Sequence, residues 1–389
     1  NRPFMPIVVA ENLSWDDFAR LNLDLPYFQG VQPDVGETRD YPYKEELSHV
    51  LGYVAAVSPE DKTKAEEAAD PLLDVPGVRI GKRGIEKAYD GTIRGEAGAS
   101  RVEVNAYGRV IRELERDPGK PGEDVYLTID RELQQLIHDR LKDDSAAAVV
   151  MDVENGDVLA LVSTPGYDPN AFNVGVTPEQ WSALTTNDHK PLLNKVLSGT
   201  YPPGSTFKTV TALAALDEGV ITPDTHFTCT GHYTLGSHDF HCWKKGGHGS
   251  VDLRRAIEQS CDVYFYTVGN MVGVDKINKW ATALGLGVKS GIDLPNEVQG
   301  LVPSTEWKRE KMHEKWYAGE TISVAIGQGQ VSVTPVSLAV YAATLGNGGM
   351  RVTPHLMKAV DDGTGWKPVP PPAPQAAVDL SPEKLQAIR

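Results

Sequence analysis

Cysteine is scarce in this chain, with three in 389 residues. That is too few for a disulfide framework, and an odd count cannot pair fully within one chain. Positive charge is also in short supply. Lys and Arg number 38 against 53 Asp and Glu, for a formal net charge of −15. Nucleic-acid binders usually carry a basic footprint, so the charge argues against nucleic acid as a partner. It argues equally against broad attraction to an anionic lipid surface. No apolar run approaches the roughly 18 residues of a spanning helix. No signal peptide and no internal repeat is visible. The chain opens Asn1-Arg2-Pro3, without an initiator Met, and an upstream segment is therefore expected to be missing.

What is present is ordinary for a globular protein: 40% apolar residues and 23% charged. At about 150 residues per domain, this length predicts two or three domains. The run Asp117-Pro-Gly-Lys-Pro-Gly122 is strong punctuation and sets the expected boundary: a mixed α/β domain over 1–125 and a second domain over 126–389. In the first, Ser48 to Val54 reads as a short apolar strand. Charged and Pro/Gly-bearing stretches alternate around it, at Asp34–Tyr43, Glu60–Glu67 and Asp117–Glu123. Ala97 to Arg112 reads as a hairpin broken at Gly108. In the second, Leu127 to Ile129 reads as a strand and Asp130 as the N-cap of a helix over Arg131–Leu141. Asn155-Gly156 separates two β-rich runs, 146–152 and 158–163, a hairpin signal. Helical patterns follow over Phe207–Leu216 and Leu253–Val272. Pro368 to Pro374 is expected to be extended. Hairpin strands bracketing a helical block predict an α+β second domain.

The octet Tyr201-Pro-Pro-Gly-Ser-Thr-Phe-Lys208 carries the most chemistry. Pro202, Pro203 and Gly204 suit a tight turn, which puts Ser205 at or near a helix N-terminus, where developing negative charge is favoured. Ser205 and Lys208 stand at i and i+3 and share a helix face. A buried lysine acting as base is one way to activate a serine hydroxyl. Alone, so short a pattern is far more often a plain serine cap with a solvated lysine. A second polar pair, Ser260 and Asp262, interrupts an aromatic-rich helical segment 55 residues further on.

Ser205-x-x-Lys208 and Ser260-x-Asp262 together resemble the penicillin-binding serine acyltransferases. Longer stretches extend the likeness: Ala160–Asn170, Trp243–Gly249 and Gly327–Pro335, with Tyr41–Tyr43, Gly81–Glu86 and Val102–Asn105 in the first domain. Within the family, the closest likeness is to the class B D,D-transpeptidases of the rod-elongation machinery, from about residue 38 onward. The resemblance implies an antiparallel sheet with a helical block over 126–389 and a non-catalytic pedestal over 1–125. It implies Ser205 as nucleophile toward the penultimate D-Ala of a stem peptide, Lys208 as its base, Ser260 as proton shuttle, and Asp262 in place of the commoner Asn. β-Lactams would acylate the same serine. The implied partners are a SEDS glycosyltransferase and an elongation scaffold, met through the pedestal. The implied location is the periplasm, with an inner-membrane anchor outside this sequence. Two other readings stay open: a non-catalytic activator of a membrane glycosyltransferase, and a β-lactam sensor or serine β-lactamase.

The family also carries a Lys-Thr/Ser-Gly triplet on an edge strand. Lys289-Ser290-Gly291 has the letters but follows a helix and precedes Ile292-Asp-Leu-Pro, which predicts a loop. The third motif is expected beyond Arg389, leaving the segment itself without that part of the site.

All three cysteines, Cys229, Cys242 and Cys261, lie within 33 residues, with His248 among them. Three Cys and one His make a zinc set. The separations of 13, 6 and 13 residues do not follow the short zinc-knuckle spacing. One disulfide with a buried thiol, or three buried thiols, are the alternatives. His232, His238, His241 and Asp239 are rival donors, taken as bystanders.

Overall fold

The computed structural model describes the chain except residues 1–6, 12, 29, 32, 34, 36, 37, 62–72, 74, 76, 97, 106–109, 377–380 and 389. Two compact units emerge. One comprises 1–126, 165–192 and 359–369; the other comprises 127–164, 193–358 and 370–389. Among the described residues, no helix is long and apolar enough to cross a membrane.

In the first unit the run at Ser48 is not a strand. Lys44–Leu51 is a helix whose face buries Leu47 and Val50. These stand at i and i+3, the helical spacing, and a period of two misreads them. The helix stops at Gly52, at φ +76, where a Cβ would lie 1.9 Å from the Arg83 carbonyl oxygen. The strand follows it, Val54–Ala56, paired antiparallel with Arg79–Gly81. Segment 165–192 belongs here because its side chains are tied to this helix: the Tyr167 hydroxyl donates to the Ser48 carbonyl at 3.1 Å. Asn170 brackets Tyr41, accepting from its N–H and donating to its carbonyl. The expected hairpin is present as Ala99–Val104 against Val110–Asp117. Its turn at Gly108 lies outside the described residues, as does most of Glu60–Glu67.

The second unit begins as the sequence predicts. The Asp130 side chain accepts from the Leu133 N–H and caps Arg131–Leu141. Ala146–Met151 and Val158–Thr164 form an antiparallel hairpin across Asn155-Gly156. The strand expected at 127–129 sits three residues earlier, Asp124–Leu127; Thr128 and Asp130 instead donate their N–H groups to Leu356 and Leu159.

Behind the hairpin lies the helical block. Lys208–Asp217 buries seven of its ten residues. A helix apolar on nearly every side belongs in an interior. Its core partners include Tyr264, Phe265, Ile277 and Ile322, all fully buried. The helices Asp262–Val272 and Ala318–Val324 pack against each other. They can do so because position 269 is glycine: a Cβ there would lie 2.3 Å from the Ala325 Cβ, whereas two carbons need about 3.5–4.0 Å. Gly269→Ala is expected to destabilise the protein by about 1–3 kcal/mol through overpacking. A calorimetric melt indistinguishable from wild type would contradict this packing.

The pattern over Leu253–Val272 does not make one helix. It makes two, Leu253–Glu258 and Asp262–Val272, with Gln259, Ser260 and Cys261 between them. That interruption positions the site. Pro368–Pro374 is exposed throughout, as expected.

Candidate active site

Two prolines and a glycine shape the turn before Ser205. Gly204 sits at φ +58 and opens a short 3₁₀ turn, Gly204–Phe207, that runs into the helix Lys208–Asp217. The turn is held from outside. Gly204 donates its N–H to the Gly327 carbonyl at 3.0 Å, and Tyr201 and Val333 exchange both backbone bonds at 2.9 Å. Gly327 cannot be larger, because a Cβ there would stand 2.4 Å from the Gly204 carbonyl oxygen. The Tyr341 hydroxyl donates to the Thr206 carbonyl at 3.1 Å. Ser205 is thus exposed on a braced turn, while Lys208, one turn on, is buried.

Ser260 gets its place from a helix ending. The Cys261 N–H reaches the Ala256 carbonyl at 2.8 Å, and the Ser260 N–H reaches Ile257 at 3.1 Å. Those two bonds form a Schellman motif, whose C′ residue is left-handed and usually glycine. Here it is serine, at φ +51. A non-glycine residue in that region stores about 1–3 kcal/mol and often marks a functional site. Cys261, in extended conformation, then starts the next helix with Asp262 as its first residue.

The two polar pairs meet. The Lys208 ammonium donates to the Ser260 carbonyl and Oγ, each at 2.9 Å, and to Asp262 Oδ1 at 2.6 Å. Ser260 Oγ in turn donates to Ser205 Oγ at 2.8 Å. Ser260 therefore stands between the lysine and the exposed serine. Asp262 Oδ2 accepts from the Trp243 N–H at 3.0 Å. The indole N–H of Trp243 is shared between the carbonyls of Gln259 and Ser260, at 3.1 Å each. Both charges of the Lys208–Asp262 pair are largely buried, with 3% and 13% of their side chains exposed.

The cysteines converge behind this site. Cys229 ends the strand Phe227–Cys229, paired with Gly249–Val251. Cys242 follows the hairpin His232–Leu235/His238–His241. Cys229, Cys242, His248 and Cys261 bring their donor atoms within 4.8 Å of one another. His248 Nδ1 lies 3.6 Å from the sulfurs of both Cys229 and Cys242. No two of the three sulfurs are bonded. Burial pushes the Cys261 thiol up to about 12, and the neighbouring Cys229 adds to the shift. Burial also holds His248 below the usual imidazole range, with Lys244 acting in the same direction. A bound cation inverts this logic and deprotonates a coordinating thiol outright. The cluster is thus a place where a metal ion can be held. His232, His238, His241 and Asp239 stay outside it, exposed on the hairpin.

Lys289-Ser290-Gly291 is a loop, as expected. The N–H groups of Ser290 and Gly291 point to the Glu297 carboxylate, at 2.6 and 3.3 Å. They offer no free strand edge.

The fold and this constellation define a class, and comparison with known proteins states it directly. Residues 146–389 match the penicillin binding protein transpeptidase domain, and residues 1–127 the penicillin-binding protein dimerisation domain. The chain belongs to the penicillin-binding proteins with a transpeptidase domain. It is 40% identical over 363 residues to the peptidoglycan D,D-transpeptidase MrdA of Escherichia coli K12, a match that covers 92% of this chain and 57% of that protein. Among solved structures it is similar to penicillin-binding protein 2 (PBP2) of Helicobacter pylori in complex with MreC, with a TM-score of 0.86 and 33% identity. That match covers 98% of this chain and 69% of the other. It is also similar to Pseudomonas aeruginosa PBP2 in complex with WCK 5153, with a TM-score of 0.79 and 36% identity, covering 92% and 74% of the two chains. The member resembled is therefore PBP2, and the chain spans about half to three fifths of the length of the curated relatives it matches.

Proposed function

We propose that this chain is the pedestal and the larger part of the transpeptidase domain of a peptidoglycan D,D-transpeptidase acting in cell elongation. The observation that supports it most is the hydrogen-bonded series Asp262–Lys208–Ser260–Ser205, which ends on an exposed hydroxyl. Ser205 Oγ attacks the carbonyl carbon of the penultimate D-Ala of a stem peptide. Its proton passes, directly or through Ser260 Oγ, to Lys208 acting as the neutral amine, the ammonium having first given up one proton to Asp262 or to solvent. The C–N bond to the terminal D-Ala breaks as that nitrogen takes the proton back, and a serine ester remains. The amine of a second stem peptide then attacks the ester carbonyl, forming the crosslink and regenerating Ser205. The Ser205 N–H would stabilise the oxyanion. A β-lactam follows the first half and stays attached.

Asp262 supplies the buried counter-charge to Lys208. Removing one partner of such a pair costs about 3–5 kcal/mol, because the other is left uncompensated. Asp262→Ala is expected to lower stability by that amount. Asp262→Asn keeps an acceptor for the lysine but also removes the counter-charge, so it should recover only the hydrogen-bond part of that loss. A melting temperature of Asp262→Asn equal to that of the wild type would count against the role of charge.

The four-donor cluster is read as a structural zinc site. Tetrahedral zinc with bonds of about 2.3 Å to sulfur and 2.05 Å to nitrogen sets sulfur and nitrogen roughly 3.6 Å apart. That is the separation found between His248 Nδ1 and two sulfurs. Zinc would hold the loop 229–248 to the turn carrying Ser260, away from the reacting atoms.

Residues 1–125 are read as the pedestal that meets an elongation scaffold and a SEDS glycosyltransferase, with the protein anchored in the inner membrane and active in the periplasm. The Helicobacter pylori relative bound to MreC supports the first of these. The intact natural protein should release D-Ala and form crosslinked dimers from glycan strands bearing pentapeptide stems. It should turn over nitrocefin slowly. Rapid nitrocefin hydrolysis without crosslinking would favour a β-lactamase.

A further inference from the structure

Trp243 immediately follows Cys242 and is 64% exposed. A large apolar side chain left in solvent is unremarkable alone. This one is pinned. Its backbone N–H is spent on Asp262 Oδ2, and its indole N–H on the carbonyls of Gln259 and Ser260. Its ring stands edge-on to that of His248, with centroids 5.3 Å apart.

The Ser260 carbonyl belongs to the left-handed residue that faces both Lys208 and Ser205. A strained backbone persists only where its surroundings over-determine it. Two donors hold this carbonyl, the Lys208 ammonium from within and the Trp243 indole from outside. Only the second is independent of the proton-transfer chain. The segment 242–243 and the turn 259–262 each carry one member of the cysteine cluster, Cys242 and Cys261. The cluster thus fixes the same two pieces of chain that the tryptophan ties together.

We propose that Trp243 is a positioning residue for acyl transfer: its indole N–H holds the left-handed Ser260 so that Ser260 Oγ stays between Lys208 and Ser205. This rests on the acyl-transfer reading of the site. It places no catalytic role on the tryptophan itself. Loss of the indole N–H leaves the Ser260 carbonyl short of a donor and loosens the turn. The ring, as an exposed wall, is unaffected by that loss.

The test separates the N–H from the ring. In the intact natural protein, Trp243 is replaced by benzothienylalanine, which keeps the bicyclic shape and carries sulfur in place of N–H; Trp243→Phe serves as a second variant. Benzylpenicillin acylation is resolved into a dissociation constant for the first complex and a rate constant for acylation, alongside zinc content and melting temperature. The expected result is an acylation rate constant lower by roughly tenfold in both variants. The dissociation constant of the benzothienyl variant, its zinc content and its melting point stay at wild-type values. An unchanged rate constant overturns the proposal. So does a slower rate that appears only together with lost zinc or a lower melting point, since that marks a merely structural residue. Wild-type protein that benzylpenicillin does not acylate at Ser205 would instead overturn the acyl-transfer reading on which the proposal stands.

Discussion

Ser205→Ala is expected to abolish covalent labelling of the intact natural protein by a fluorescent penicillin. The label forms an ester with one hydroxyl, and the geometry leaves no neighbour to take over. Thr206 is exposed beside it, but its Oγ1 is committed to the Pro203 carbonyl at 2.7 Å. Ser260 Oγ faces Ser205 from inside the site and also accepts from Lys208. Loss of a catalytic nucleophile costs on the order of a millionfold in a well-studied serine protease, so labelling should fall below detection. Lys208→Met is expected to slow labelling by roughly 10²–10⁴-fold, the usual contribution of a general base. That variant also strands a buried carboxylate, so it is best paired with Asp262→Asn, which removes the stranded charge. Ser260→Ala should also slow labelling and leave Ser205 in place. Undiminished labelling of Ser205→Ala would sink the whole assignment.

Loss of one cysteine from the cluster is the second large effect. Cys229→Ala and Cys261→Ala should each lose the proposed zinc and melt well below wild type. Structural zinc in small peptides is worth about 10–16 kcal/mol. If only about 3 kcal/mol of that is felt here, a shift of roughly 2–4 °C per kcal/mol lowers the melting point by about 6–12 °C. The two variants separate two consequences. Cys229 lies on a strand remote in sequence from Ser260, whereas Cys261 is its next neighbour and starts the Asp262 helix. Cys261→Ala is therefore expected to slow acylation more than Cys229→Ala, although neither removes a reacting group. Wild-type protein purified with far less than one zinc per chain would end the metal reading. Wild-type melting and acylation in Cys261→Ala would end the link to the site.

Much of the local structure was legible before any coordinates. Asp130 before an apolar-faced segment specified a capped helix, because a cap and a 3.6-residue period are both written within a few consecutive residues. Asn155-Gly156 between two β-rich runs specified a hairpin for the same reason. The misreadings are equally local in cause. Ser48–Val54 holds a helix end, a left-handed glycine and a strand start in seven residues, too short a window for period to decide. The run 253–272 kept one helical pattern across a Schellman break, because the left-handed position carries serine and not the glycine that would have flagged it.

The sequence by itself determined the chemistry on offer: a serine and a lysine one turn apart, a second serine and an acid two apart, and three cysteines with a histidine. It determined this because residue type and short spacing are enough to put groups on one face of a turn. Only the tertiary structure decided which groups meet. Lys208 and Ser260 are 52 residues apart, and Ser205 and Ser260 are 55 apart. Separations of 13, 6 and 13 residues gave no zinc-knuckle spacing, yet the four donors arrive together from four segments. Gly327 and Trp243 open two of the stretches that carry the family likeness, yet nothing in the sequence showed that one lies under the nucleophile turn and the other on the Ser260 carbonyl. Such contacts depend on how the buried helix 208–217 packs against 262–272, and side-chain packing over long separations has no short period for a sequence to display.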